Sequence, residues 1–192
     1  SIWDANEAFY VETPREMIEH ADYINPTFNY EPRINKPVLS YWIVAGLYQV
    51  FGVSVTTERA AIAGAALIMI AAAFLLGRVA SSHRVVPVLA ALGLAANPRF
   101  FMFGRRILVD VLLAIFMTLT LLLFALAERY PERRRAFLLL MYVCVGLGAL
   151  TKGPVAIALP ALIFFAYVAW HRELGRIKTM MLPAGAAIVL AI

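Results

Sequence analysis

Residues 107–127 set the terms for this chain. ILVDVLLAIFMTLTLLLFALA contains a single charged residue, Asp110. A helix of that length rises about 31 Å at about 1.5 Å per residue, which matches the roughly 30 Å hydrocarbon core of a bilayer. In lipid, a helix satisfies every backbone N–H and C=O within the segment itself. Similar apolar runs recur at Ala60–Gly77, Val85–Phe103, Ala136–Leu150 and Pro154–Trp170, and another begins near Met180. Composition agrees. The chain is 62% hydrophobic and 15% charged, against about 45–50% and 25% in a soluble domain. The expected fold class is all-α, a polytopic transmembrane helical protein.

Residues 1–59 differ in kind. Of the 12 acidic residues, seven lie in the first 31 positions: Asp4, Glu7, Glu12, Glu16, Glu19, Asp22 and Glu31. Thr13-Pro14-Arg15-Glu16 reads as a helix start, with Thr13 as cap and Glu16 closing a capping box, so a short helix is expected from Pro14 to about Ala21. Asn25 to Lys36 holds too much Pro and Asn for a helix and predicts an ordered loop. Val38–Phe51 is apolar, but its length corresponds to about 21 Å of helix, too short to cross. Tyr41, Trp42 and Tyr48 favour the membrane interface, so this segment is expected to lie on the membrane surface. The domain expectation is an outer loop with juxtamembrane helices at 1–59, then a transmembrane region at 60–192 with about five spans and the start of another. Ser1 to Tyr30 shows no basic cluster followed by an apolar core. The chain starts without Met and ends inside an apolar run, and the expectation is a fragment cut at both ends.

Charge sets the expected orientation. With Val38–Phe51 out of the membrane, the linkers RVASSHR, ERYPERRR and HRELGRIK share one side and carry most of the Lys and Arg, which the positive-inside rule makes cytoplasmic. The net charge of +5 therefore speaks of topology and not of nucleic acid. The acidic segment, Arg105, Arg106, the outer end of the Asp110 helix and Lys152 then meet at the opposite face.

Each of these groups has a functional and a plain reading. An acid inside a span costs about 2.5–3.5 kcal/mol at mid-helix and usually marks function; Asp110 also stands four residues from Arg106, as an ordinary helical ion pair would. Asp4, Glu7 and Glu12 offer a general base or divalent-metal ligands, or a solvated face. Lys36 and Lys152 offer point charges for a phosphate, or an interfacial anchor and a topology signal. Arg105 and Arg106 offer a phosphate clamp, or partners for Asp110 and lipid headgroups. His20, His83 and His171 show no metal-ligand spacing, and the single Cys144 says nothing of redox compartment. No phosphate-binding glycine loop, zinc-protease or serine-hydrolase motif is present. A cytosolic nucleotide sugar is therefore not the expected donor, and no nucleotide cofactor is expected.

NEAFYVETPREM, the later NKPVLSYW, the aromatic stretch ending FGVSV, and then GRRILVDVLLAIFMTLTL and GLGALTKGPVAIALP together resemble, in order and over most of the chain, the membrane glycosyltransferases of the GT-C fold. The group resembled contains the protein O-mannosyltransferases and the bacterial aminoarabinose transferases that modify lipid A. The resemblance implies a polyprenyl-phosphate sugar donor, a lipid, glycan or protein acceptor, and a multi-pass protein of the cell (inner) membrane whose active site faces the periplasm. It also implies a catalytic carboxylate in the N-terminal loop and matches Lys36 and Asp110 to the family's pattern. Two positions depart from that pattern. Aligning Tyr10 with the family's tyrosine puts Asn6 where an Asp is usual; Glu7 matches the second acid and Asp4 stands two residues earlier. Asn35 also replaces the Glu of a Glu-Lys-Pro motif, which leaves open whether a divalent metal takes part.

The expected site is thus Asp4, Glu7 and Asp110 as catalytic carboxylates, with Asn6, Tyr10, Lys36, Arg105, Arg106 and Lys152 binding substrate and Asp110 holding Lys36. Two other classes stay open: a secondary transporter using Asp110 as a proton or cation site, and a non-catalytic protein that binds lipid-linked sugar.

Overall fold

The computed structural model describes the backbone of residues 5–104 and 109–192 and the side chains of 8–104 and 110–192. The first helix, α1 (Ala5–His20), is longer than the Thr13-Pro14 signal predicts and runs straight through Pro14. Pro14 removes only the bond to the Tyr10 carbonyl, and packing outweighs that loss: Thr13 and Glu16 are fully buried and Met17 nearly so. Thr13 is therefore an interior residue and not a cap. Glu16, expected to cap, accepts from the Thr27 hydroxyl at 2.5 Å and from the Tyr30 amide at 3.3 Å.

Those donors belong to a small antiparallel hairpin, β1 (Thr27–Phe28) and β2 (Glu31–Pro32), where a loop was expected. Asn29 and Tyr30 turn it with φ of 54° and 62°. Two residues at positive φ match the twist of a tight hairpin. Arg33 fastens the hairpin to α1, its guanidinium lying 3.4 Å from the Phe9 ring centroid and 5.7 Å from that of Phe28.

The surface helix is α2 (Leu39–Phe51). Tyr41, Val44, Ala45 and Tyr48 face inward. The exposed Trp42 donates from its indole to the Tyr23 carbonyl at 2.6 Å, and Tyr48 donates to the Val11 carbonyl at 3.4 Å. The aromatics read as interfacial from sequence thus divide: Tyr41 and Tyr48 are packing residues.

Among the described residues, three helices are long and apolar enough to cross a membrane: Val55–Ala80, Asp110–Arg129 and Pro131–Lys152. They form α3 (Val55–Ala80), α6 (Val109–Arg129) and α7 (Arg134–Lys152). By length and composition they are fit to cross a bilayer more than once. The run at Val85–Phe103 breaks into α4 (Val85–Ala95) and α5 (Pro98–Phe103) because Asn97 caps a new helix, accepting from the Arg99 and Phe100 amides at 3.0 and 3.1 Å. α8 (Val155–Trp170) and α9 (Leu182–Ala191) are also shorter apolar helices.

Helices α3 and α6 run parallel. Ile62, Ala65 and Met69 pack on Val111, Leu112 and Ile115 near their starts. α4 turns back against α3, close enough that a β-carbon on Gly77 would meet the Pro87 Cα at 2.7 Å. α7 is antiparallel to α6, and Ala127, Leu138 and Met141 cluster at the far end with Phe164 of α8. Gly153, at φ +80°, stops α7 immediately after Lys152, a conformation that favours glycine.

Candidate functional site

One end of the bundle gathers the starts of α3 and α6, the end of α7, and the layer of α1, the hairpin and α2. Asp110 sits in the first turn of α6 and Lys152 is the last residue of α7. They form a direct ion pair across the two helices. Asp110 therefore holds Lys152 and not Lys36, which corrects the partner expected from sequence. The pair is open, with side chains 53% and 36% exposed. An ion pair so exposed stabilises a fold by only about 0–1 kcal/mol. Its more informative property is an ammonium held at a fixed point with, among the described residues, donor capacity beyond Asp110.

Tyr10 faces the same point. Its ring stacks on that of Tyr41 with centroids 6.0 Å apart. Burial, the neighbouring Tyr41 and the Asp110 carboxylate push the Tyr10 phenol up to about 12, while Arg33 pulls the other way. Burial likewise raises Tyr41. Both phenols are therefore neutral donors near neutral pH.

Lys36 lies on the wall of a cavity of about 420 Å³ bounded by Asn25, Pro26, Asn35 and, from α7, Leu150. Leu150 stands just ahead of Lys152 on that helix. Structure thus brings Tyr10, Asp110 and Lys152 together and sets Lys36 in the adjoining hollow. Asp4, Arg105 and Arg106, and the side chains of Asn6 and Glu7, lie outside the described residues. Glu12 is engaged elsewhere, pairing with Arg15, which also holds Glu19, at 2.6 and 2.7 Å. Among the described residues no three His, Cys, Asp or Glu side chains gather as a metal site.

Beside the charged end runs an apolar groove of about 860 Å³ between α2, α3 and α6. Ile43, Leu47 and Phe51 line one wall and Ala61, Ile68, Leu112 and Ile115 the other. Ile43 follows Tyr41 by two residues and Leu112 follows Asp110 by two, so groove and charged site share their helices. Tyr41 and Arg33 were missed as site residues. The available signals were an aromatic at the inward-facing position of α2 and an arginine beside a turn.

The family described as dolichyl-phosphate-mannose-protein mannosyltransferase matches residues 2–192. An uncharacterized protein of Aquifex aeolicus (strain VF5) is 32% identical over 93% of this chain and 36% of its own length. The undecaprenyl phosphate-alpha-4-amino-4-deoxy-L-arabinose arabinosyl transferase of Shewanella sediminis (strain HAW-EB3) is 31% identical over 90% of this chain and 32% of its own. The crystal structure of ArnT from Cupriavidus metallidurans bound to undecaprenyl phosphate superposes with a TM-score of 0.93 at 25% identity, over 100% of this chain and 36% of that one. Its apo state gives 0.90 at 26% identity. The chain spans about a third of the length of the curated relatives it matches.

Proposed function

Because the chain belongs to the dolichyl-phosphate-mannose-protein mannosyltransferase family, we propose that it is the membrane-embedded part of a glycosyltransferase that moves a sugar from a polyprenyl-phosphate donor to a lipid, glycan or protein acceptor. In this reading the basic linkers face the cytoplasm, the Asp110–Lys152 end faces the periplasm across the cell's inner membrane, and residues 1–59 form the juxtamembrane layer over the spans of 60–192.

The observation that carries the proposal is the junction of an exposed ammonium–carboxylate pair with an apolar groove lined from the same helix. A polyprenyl-phosphate sugar has the same division, a singly charged phosphodiester head on a long hydrocarbon tail. The tail occupies the groove between α2, α3 and α6. Lys152, held by Asp110, and Lys36 neutralise charge that develops on the phosphate as the anomeric carbon–oxygen bond breaks. Preorganised cations of this kind are among the strongest contributors to catalysis. Tyr10, kept protonated and backed by the Tyr41 ring, donates to a phosphate oxygen, and Arg105 and Arg106 supply further donors. Glu7 or Asp4 takes the proton from an acceptor hydroxyl, with Asn6 orienting the sugar. A phosphate acceptor would need no base. Single displacement inverts the anomeric centre.

The transporter reading is weaker, because transporters hold their ion sites near the bilayer midplane on broken helices. Asp110 is in the first turn of its helix and already paired.

The test is transfer by the full-length protein in proteoliposomes, from a labelled polyprenyl-phosphate sugar to cell-envelope lipid or glycoprotein fractions. Transfer lost in Lys152→Ala while the protein stays folded supports the reading. Transfer equal to wild type in both Lys152→Ala and Lys36→Ala overturns it.

A further inference from the structure

The opposite end of the bundle carries a cavity that the proposed transfer site does not include. It measures about 700 Å³ and lies between the α3–α4 turn and the end of α6. Its wall includes Arg78, Ser81, Ser82, His83, Arg84 and Arg129, with Tyr130 at the rim. Among the described residues no carboxylate stands within 4 Å of Arg78, Arg84 or Arg129; the nearby Glu128 is committed to Arg134 and Arg176. Three guanidiniums with hydroxyls among them form a donor set suited to a phosphate, since arginine presents its N–H groups as a fork matching phosphate oxygens. At the start of α4 the Val85 amide donates to His83 Nδ1 at 3.5 Å, and the helix adds its positive dipole end.

The second observation is what adjoins it. An apolar groove of about 480 Å³ runs between α3, α6 and α8, lined by Leu76, Leu121, Phe124, Ile163 and Tyr167. It shares Val79, Ala80 and Arg129 with the cationic cavity. Across these shared residues the lining passes from arginine-rich at the bundle end to mainly apolar beside the spans, where Glu128, held by Arg134 and Arg176, is the groove's carboxylate.

We propose that this hollow binds one anionic phospholipid, its phosphate among Arg78, Arg84 and Arg129 and an acyl chain between α3, α6 and α8. The site is separate from the one that holds the donor. It reads the negative surface of the leaflet at the basic end and clamps α3 to α6, the two helices whose other ends frame the Asp110–Lys152 site.

The test is native mass spectrometry of the full-length protein, extracted from vesicles holding equal phosphatidylglycerol and phosphatidylcholine. Wild type should retain phosphatidylglycerol. The triple variant Arg78→Gln/Arg84→Gln/Arg129→Gln should lose it by about a hundredfold, taking roughly fivefold for each basic residue near an anionic surface. Arg133→Gln/Arg135→Gln, which removes exposed arginines of the same end from outside the hollow, should leave retention within about twofold. Ala125→Trp, which narrows the groove without touching the arginines, should also reduce retention, and millimolar inorganic phosphate should not displace the lipid. Thermal unfolding of each variant checks that it is folded. Equal retention by the triple and double variants would overturn the proposal. So would equal retention of phosphatidylcholine, or displacement by inorganic phosphate with Ala125→Trp unaffected, which would make the site one for free phosphate.

Discussion

At one end of the bundle Asp110 and Lys152 pair with their side chains 53% and 36% exposed; at the other, Glu128 is only 20% exposed and holds Arg134 at 3.0 Å and Arg176 as well. Both arrangements join neighbouring helices by opposite charge. The Glu128 cluster, partly buried and completed by Glu173 on Arg176 at 2.6 Å, uses up its charges in holding α6, α7 and the turn before α9 together. The Asp110–Lys152 pair leaves donor capacity facing solvent, beside two tyrosines and an apolar groove. An ion pair is informative by what it leaves unsatisfied. A closed cluster stabilises, and an open pair awaits a ligand.

That contrast can be broken most sharply at Lys152. Lys152→Ala should cut sugar transfer by about 10²–10³-fold, as removal of a preorganised donor does, while shifting stability by less than about 1 kcal/mol. A transfer assay and a melting curve on the same preparation separate the two effects. Glu16→Ala comes next. It strips a fully buried carboxylate from the Thr27 hydroxyl and Tyr30 amide, a loss of about 2–3 kcal/mol for buried charged hydrogen bonds. Faster hydrogen exchange at Tyr30 would report it; unchanged exchange would mean the hairpin stands without α1.

Glu128→Ala sharpens the comparison from the other side. It should lower stability by about 1–2 kcal/mol, between the values for exposed and buried pairs, with transfer per folded molecule unchanged. A smaller effect concerns Tyr10. Its folded-state pKa of about 12 lies above the ordinary 10.0, so its contribution to stability is fully present below pH 10 and is lost as pH rises from 10 to about 12. Tyr10→Phe should flatten that decline, read by chemical denaturation across the window; an unaltered slope would place the phenol in an ordinary aqueous setting.

Much of this was legible in the sequence, and the reasons are local. Residues 107–127 can hardly be anything but a helix in lipid, whereas the run at Val85–Phe103, expected as one span, forms two shorter helices. The meeting of Asp110 and Lys152 was also within reach. Asp110 lies 19 residues before the end of α6 at Arg129, and Lys152 lies 18 after the start of α7 at Arg134. Equal helical rise on either side of a short linker puts them level. The expectation paired Asp110 with Lys36 because a family pattern was followed instead of that count. Thr13-Pro14 misled for another reason. Capping signals describe an isolated helix, whereas burial of Thr13, Glu16 and Met17 carries α1 through its proline. The hairpin at residues 27–32 depends on contacts with Glu16 and Phe9 distant in sequence, which no local propensity contains. The break at Asn97-Pro98 was visible as an interruption, and the Asn97 side chain turned it into a helix start.

The central claim is that the Asp110–Lys152 end, and not the basic end, receives the phosphate of a lipid-linked sugar. Equilibrium binding of radiolabelled polyprenyl phosphate to the full-length protein in nanodiscs tests it directly. Lys152→Ala should weaken binding at least about tenfold, the loss of one charge-assisted contact of about 1.4 kcal/mol or more, and Arg135→Ala at the other end should bind as wild type does. Undiminished binding by Lys152→Ala, or an equal loss in Arg135→Ala, would contradict the account.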